Sequence, residues 1–213
     1  MKKIIKLIFI YNFLFIISPL GIFANDQSVV IGLEMGAGSF STVDATRKAG
    51  WACGICPDTT NVGTLNMFAE WYLFDSLGIG YRGTSATGGW ETIGGSTKHT
   101  YKWTSRNTLI TGNWIFWGET DYTRAGAIIG VGSSKYEFNY KTESPSSTTE
   151  LPFETSGGAS MFGLFLDWGG ESFGARLGYD SVSTTLDPLI INNASLQADG
   201  SYSGAYLGLR WAW

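Results

Sequence analysis

Cysteine and histidine are nearly absent from this chain of 213 residues: Cys53, Cys56 and His99 are the only ones. A closed zinc site therefore lacks ligands, and the chain offers no set of residues that would hold a metal or another cofactor. Proline is also scarce, at 5 residues, and beyond residue 24 no stretch of about twenty consecutive apolar residues occurs, which excludes a helical membrane protein. Charge is thin, with 14 Lys and Arg against 18 Asp and Glu. That acidic balance is a poor match for nucleic acid, which is not expected as a partner. What the chain has in abundance is glycine, 29 residues, and aromatics, 15% of the total.

The first residues, Met1-Lys2-Lys3, are basic, and a long apolar run leads through Phe15 and Ile16 to small residues at Gly21 and Ala24. This is the pattern of a secretory signal peptide, residues 1–24, with cleavage expected after Ala24. A retained anchor would need a basic flank after the run, and none follows. Removing Lys2, Lys3 and Lys6 takes the formal net charge from -4 to -7. Residues 25–213 are one domain's worth of chain.

That domain is written in a period of two. From Tyr202 to Trp213 the odd positions Ala205, Leu207, Leu209, Trp211 and Trp213 are apolar, while the even ones are small, polar or charged, Arg210 among them. A pleated strand between two environments produces this pattern, and a helix would scatter it. Val29–Gly38 repeats it, with Ile31, Leu33 and Met35 opposed to Gly32, Glu34 and Gly36. So do stretches beginning near Thr64, Leu77, His99, Asp121, Met161 and Phe173, which makes eight strands. Connections alternate, with tight turns after strands two, four and six and long loops after one, three, five and seven. The loops are expected at 39–63, Ala86–Lys98, Thr142–Gly157 and Thr184–Ala194.

The expected fold is all-β, an eight-stranded antiparallel up-and-down transmembrane β-barrel, with apolar side chains toward lipid and polar ones toward the lumen. A soluble eight-stranded barrel would need polar residues where Leu207, Leu209 and Trp211 stand. Aromatics near the turns (Trp71, Phe116, Trp117, Trp168, Phe173, Trp211, Trp213) and toward the loops (Tyr101, Trp103, Tyr136, Tyr202) are read as two interface girdles. In the first loop, Cys53-Gly54-Ile55-Cys56 could serve redox chemistry or a disulfide. No helix N-terminus follows to lower a thiol pKa, so an oxidised Cys53–Cys56 pair in an exported loop is the preferred reading.

The whole mature chain resembles the small outer-membrane β-barrels of Gram-negative bacteria, the class of the OmpA membrane domain and OmpX. The resemblance is carried by the eight alternating strands, the signal peptide and the run Tyr206-Leu207-Gly208-Leu209-Arg210-Trp211-Ala212-Trp213. It implies insertion into the outer-membrane lipid by the barrel-assembly machinery, with Leu209, Trp211 and Trp213 as the assembly signal. Trp213 stands where the family usually ends in phenylalanine.

Inward positions collect four acids, Glu34, Glu70, Asp167 and Asp180, and four arginines, Arg82, Arg124, Arg176 and Arg210. An interior this narrow is filled by side chains, so the expectation is a hydrogen-bonded ion network that plugs the lumen. A gated ion path and a catalytic carboxylate group are the alternatives. Six of these residues lie three to six positions up their strands and are expected in one layer, with Glu34 bridging to Arg210 and Arg82 beside Glu70. An enzyme acting on lipid A or peptides would need a histidine with a serine or carboxylate partner, and His99 has no recognisable serine motif beside it. Binding of a host or surface protein through the loops and surplus strand length leads over catalysis, with a purely structural membrane role close behind.

Overall fold

The computed structural model describes residues 29–41, 59–118, 123–170, 172–191, 194–196 and 199–213. The expected signal peptide and the Cys53–Cys56 pair lie outside these residues. The strands are β1 (Val29–Ser41), β2 (Thr59–Phe74), β3 (Leu77–Gly94), β4 (Thr97–Gly118), β5 (Arg124–Ser144), β6 (Ser147–Gly169), β7 (Phe173–Leu186), β8 (Leu189–Ile191), β9 (Ala194–Leu196) and β10 (Gly200–Ala212). Eight of them close into one barrel, in the order β1-β10-β7-β6-β5-β4-β3-β2, and β8 pairs with β9 as a small separate hairpin. Every barrel neighbour is antiparallel.

Closure is made by the two ends of the chain. Val29 and Trp213 exchange both backbone hydrogen bonds, at 2.9 and 3.1 Å, and Ala212 N–H donates to the Ser172 carbonyl at 3.0 Å. The β6–β7 turn thus lies at the same end as the β1–β10 closure. Gly118 and Gly169 end their strands at this rim with φ of 86° and 142°, conformations that only glycine takes without strain.

Following the register once around the barrel gives its stagger. Arg124 pairs with Asp167, then Arg176, Gly208, Glu34, Asn66, Thr84 and Asn107, and the path returns to β5 at Ser134. The return is ten residues above the start on the same strand. Closing an eight-stranded sheet demands a fixed shear of this kind, with strands tilted by about 35–45° to the axis.

The period of two places the side chains as the sequence requires. Exposed apolar residues, among them Leu33, Met35, Ile79, Ile110, Ile129, Phe162, Leu177, Leu207 and Leu209, wrap the outside, while the inward set is buried. Phe116, Trp117, Trp168, Phe173, Trp211 and Trp213 stand exposed near the closure end, where an interface girdle belongs. The second proposed girdle is corrected. Tyr101, Trp103, Tyr136 and Tyr202 are buried inside the barrel or its extension, each no more than 4% exposed. Their parity decides this: Tyr101 and Trp103 share a face with inward Leu109 on β4, and Tyr136 shares one with inward Ile128 on β5.

Two of the expected long loops are also corrected. Residues 86–98 are strand on both sides of a turn at Gly95-Ser96, and residues 142–157 are strand on both sides of Pro145-Ser146. The alternation of apolar with small residues stops there, yet Thr, Trp, Tyr and Phe keep the chain extended. β3 to β6 therefore continue as a four-stranded sheet beyond the pairing limits of β2, at Val62 with Gly88, and of β7, at Leu186 with Gly157. The first expected loop falls mostly outside the described residues. The fourth holds the β8–β9 hairpin, and β7 runs on to Leu186.

Candidate functional site

Eight ionic side chains meet inside the barrel: Glu34, Glu70, Asp167, Asp180, Arg82, Arg124, Arg176 and Arg210, none more than 3% exposed. Arg176 is the hub. Its Nη1 and Nη2 donate to Glu70 at 2.6 and 2.9 Å, and its Nε donates to Asp167 Oδ1 at 2.6 Å. Arg124 Nε donates to Asp167 Oδ2 at 2.8 Å, and Arg210 Nε lies 3.7 Å from the same oxygen. Tyr72 Oη donates to Glu70 at 3.0 Å. A second group lies beside it, where Arg82 is paired with Glu34, donates to Asp180 at 2.7 Å, and Asn66 donates to Glu34 at 3.2 Å. Arg176 Nη1 to Glu34 Oε1, at 4.0 Å, joins the two groups.

The expected single layer, with Glu34 reaching Arg210 and Arg82 beside Glu70, is thus redistributed. Glu34 is held by Arg82 and Asn66, while Glu70 is held by Arg176. The cause is stagger. Arg210 pairs in register with Gly32 rather than Glu34, and Arg82 with Phe68 rather than Glu70. Residues equally far along neighbouring strands are therefore not register partners.

Aromatic rings pack this network. Arg176 lies 4.2 Å from the ring centroids of both Phe68 and Phe165, Arg124 lies 4.3 Å from that of Tyr72, and Arg82 lies 5.0 Å from that of Tyr206, all within cation–π range. Glycine makes room for the rings: Phe68 is registered opposite Gly32, Phe165 opposite Gly126 and Tyr206 opposite Gly178. A Cβ at Gly126 would stand only 2.6 Å from Phe165 Cε1 and from the Trp114 carbonyl oxygen. The interior glycines are therefore slots for the large side chains of the neighbouring strand. Asn66 and these glycines carry no charge, and their inward parity is what marks them in the sequence.

Above the barrel, the β3–β6 extension has two unlike faces. Register rows Trp90–Tyr101–Tyr140–Leu151 and Gly88–Trp103–Phe138–Phe153 cross the inner one. Trp90 stacks on Tyr101 with centroids 4.5 Å apart, and Tyr101 stacks on Tyr140 at 4.8 Å. Burial and the neighbouring Tyr140 push the Tyr101 phenol up to about 12. The outer face is laced with exposed ion pairs. Lys98 meets Glu91 at 2.9 Å, Arg106 meets Glu137 at 2.8 Å, Lys135 meets Glu154 at 3.0 Å, and Lys141 meets Glu143 at 2.5 Å. The hydrogen bond from Lys135 holds the Glu137 carboxyl below its usual range, and Glu143 is lowered likewise by Lys141.

His99 sits on the inner face with its Nδ1 2.8 Å from Tyr140 Oη, stacked on that ring. Its row neighbours are Thr92 and Thr142. Among the described residues no cluster of three His, Cys, Asp or Glu could hold a metal ion. Leu209, Trp211 and Trp213 stand exposed on the outer face at the end of the chain, with Trp213 in the closure pair.

A closed antiparallel barrel with an apolar exterior and a charged, filled interior is a transmembrane β-barrel of the outer-membrane class. No family model matches the chain, and no curated protein matches it. Among solved structures it is similar to Ail, the attachment invasion locus protein of Yersinia pestis in complex with the heparin analogue sucrose octasulfate, at 11% identity over 88% of this chain and 98% of that one, TM-score 0.45. Neisserial surface protein A aligns at 10% identity, 86% and 96% coverage and TM-score 0.43. The outer membrane protease OmpT of Escherichia coli aligns at 10% identity, 89% and 97% coverage and TM-score 0.45. The fold of this chain stands on its own closed strand order.

Proposed function

We propose that this protein is an integral outer-membrane barrel whose filled lumen serves as a rigid anchor and whose β3–β6 extension binds a protein at the cell surface. One observation carries the reading: four strands run on past their barrel partners into a sheet with an aromatic face and a salt-bridged face. A barrel serving only as a membrane element needs about 9 to 11 residues per strand, whereas β4, β5 and β6 have 22, 21 and 23. The lumen argues against transport, because its buried arginines and aromatic rings fill an interior that an eight-stranded barrel makes narrow. Export with loss of residues 1–24, assembly by the barrel machinery and an oxidised Cys53–Cys56 pair complete the proposal.

Cells displaying the protein should bind a partner protein from a panel of host surface proteins, and cells displaying a version trimmed of 89–102 and 139–154 should not. Equal binding by both versions would refute the reading. A hydrolase acting on lipid A or peptides is the second reading, and it rests on His99. The hydrogen-bond partner of His99 is a tyrosine rather than a serine or carboxylate, which does not supply an activated nucleophile. Hydrolysis by the purified barrel that is abolished in His99→Ala would reinstate it.

A further inference from the structure

Taking one electron from a phenol also releases its proton, so a tyrosine oxidises most readily where its hydroxyl already faces a base. Tyr72 is one such residue, since its Oη donates to Glu70 at 3.0 Å. That carboxylate, however, also accepts from Arg176 Nη1 and Nη2 at 2.6 and 2.9 Å inside the closed lumen, and protonating it would break the buried pair. Tyr140 is another, and its base is a half-buried imidazole. Tyr140 Oη lies 2.8 Å from Nδ1 of His99, the only histidine of the chain, with the two ring planes 3° apart. With its hydrogen on Nε2, the imidazole presents Nδ1 as an acceptor to the phenol. Tyr140 also ends a stack. Trp90, Tyr101 and Tyr140 are register partners across β3, β4 and β5, with centroids 4.5 and 4.8 Å apart along the row. Rings in such contact exchange an electron readily.

We propose that Tyr140 is a redox-active tyrosine, with His99 as its proton acceptor and the Trp90–Tyr101 stack as its electron path. The oxidant is a one-electron oxidant of the surrounding medium, of the class of peroxide-derived radicals. It takes an electron from half-buried Trp90, the vacancy passes through Tyr101 to Tyr140, and the Tyr140 O–H bond breaks. The proton moves to His99 Nδ1. Tyr140 is left as a neutral phenoxyl radical and His99 as an imidazolium, while the oxidant is reduced by the one electron. A one-electron reductant of the enediol class, itself oxidised to a radical, returns the electron, and the proton goes back from His99 to the phenolic oxygen. The site thus confines radical oxidation to a side chain from which it can be reversed. The inference stands apart from the surface-binding reading, since it needs no partner protein.

The test uses the whole folded barrel in detergent, with photogenerated ruthenium(III) tris-bipyridine as the oxidant. Rapid-freeze electron paramagnetic resonance reports the radical, and mass spectrometry of spin-trap adducts locates it. A tyrosyl spectrum is expected in the unaltered protein and its loss in Tyr140→Phe, with adducts on Tyr140 in preference to exposed Tyr81 and Tyr179. Ascorbate added before the trap should restore protein of unaltered mass. His99→Phe keeps a ring against Tyr140 without a proton acceptor, and His99→Asn keeps an acceptor that is not a base. Both should slow formation of the radical by roughly a hundredfold, the scale of a positioned general base, and both should lose the heavy-water isotope effect of the unaltered protein. Amide exchange in residues 89–102 should be unchanged in His99→Asn, so that the loss is not one of folding. Trp90→Leu should lower the yield and keep the isotope effect. Adducts on Tyr81 and Tyr179 in place of Tyr140, equal rates with and without His99, or an isotope effect that persists in His99→Phe would each overturn the proposal. A full yield in Trp90→Leu would remove the stack from it.

Discussion

Arg176 shows what one residue must do to be tolerated inside the barrel. Three of its nitrogens are matched to Glu70 and Asp167, and its guanidinium plane is flanked by Phe68 and Phe165. Removing one partner of such a buried pair leaves a charge stranded in a medium that cannot solvate it, at a cost of about 3–5 kcal/mol. Glu34→Gln and Arg82→Met should each destabilise the barrel on that scale in lipid vesicles, with the double variant losing clearly less than the sum. Glu34→Gln combined with Arg210→Met should be close to additive, because those two side chains belong to different groups of the network. Equilibrium unfolding of the two double-mutant cycles checks both statements. A glycine slot makes a further prediction. Gly126→Ala forces a methyl group against Phe165 and the Trp114 carbonyl and should cost about 1–3 kcal/mol as overpacking, with Phe165→Leu on the same chain recovering part of the loss.

The element that sets this protein apart is the β3–β6 extension. Its outer ion pairs are exposed, and pairs of that kind contribute little each. Stability there comes from the stacked inner face instead. Tyr140→Ala, which takes away one ring from the Trp90–Tyr101–Tyr140 stack, should raise amide exchange in residues 89–102 and leave the barrel's midpoint of unfolding unchanged. Acidification should loosen the outer face in a defined direction. The Glu137 and Glu143 carboxyls are held below their usual range in the folded sheet. Their contribution is therefore present above the ordinary glutamate pKa and lost as pH falls through the lowered folded value. Amide protection measured at pH 7 and again at about pH 3, near the lower edge of the glutamate range, should fall slightly in the extension, whose stacked inner face keeps it formed, and stay unchanged in the barrel.

At the scale of the whole molecule the barrel is a closed wall around a closed interior. All four lumen arginines are no more than 1% exposed, so planar-bilayer recordings should show small or no conductance steps. Large, stable steps would make the protein a pore and not an anchor. The purified protein should be β-rich by circular dichroism, migrate in a heat-modifiable manner and begin after Ala24 by mass. Cys53 and Cys56 should resist thiol labelling until a reductant is added. Trimming 89–102 and 139–154 should leave these barrel properties intact, since the ion network and the β1–β10 closure lie below the cut.

The sequence alone determined the number of barrel strands, lumen parity and the identity of the eight charges buried among the described residues. Each follows from the period of two, a local property that a strand cannot escape. It also implied the apolar outer wall, because Leu207, Leu209 and Trp211 alternate with Gly208 and Arg210 on a single strand. Which acid meets which arginine was beyond it: closure lifts the register ten residues in one circuit, and that climb is a property of the ring, shared out over all eight strands. The extension was legible only as the surplus length of its two middle strands. Residues 86–98 and 142–157 carry the Gly, Ser and Thr of loops, and they are strands because each pairs along its length with at least one neighbouring strand. Only the assembled sheet supplies those neighbours.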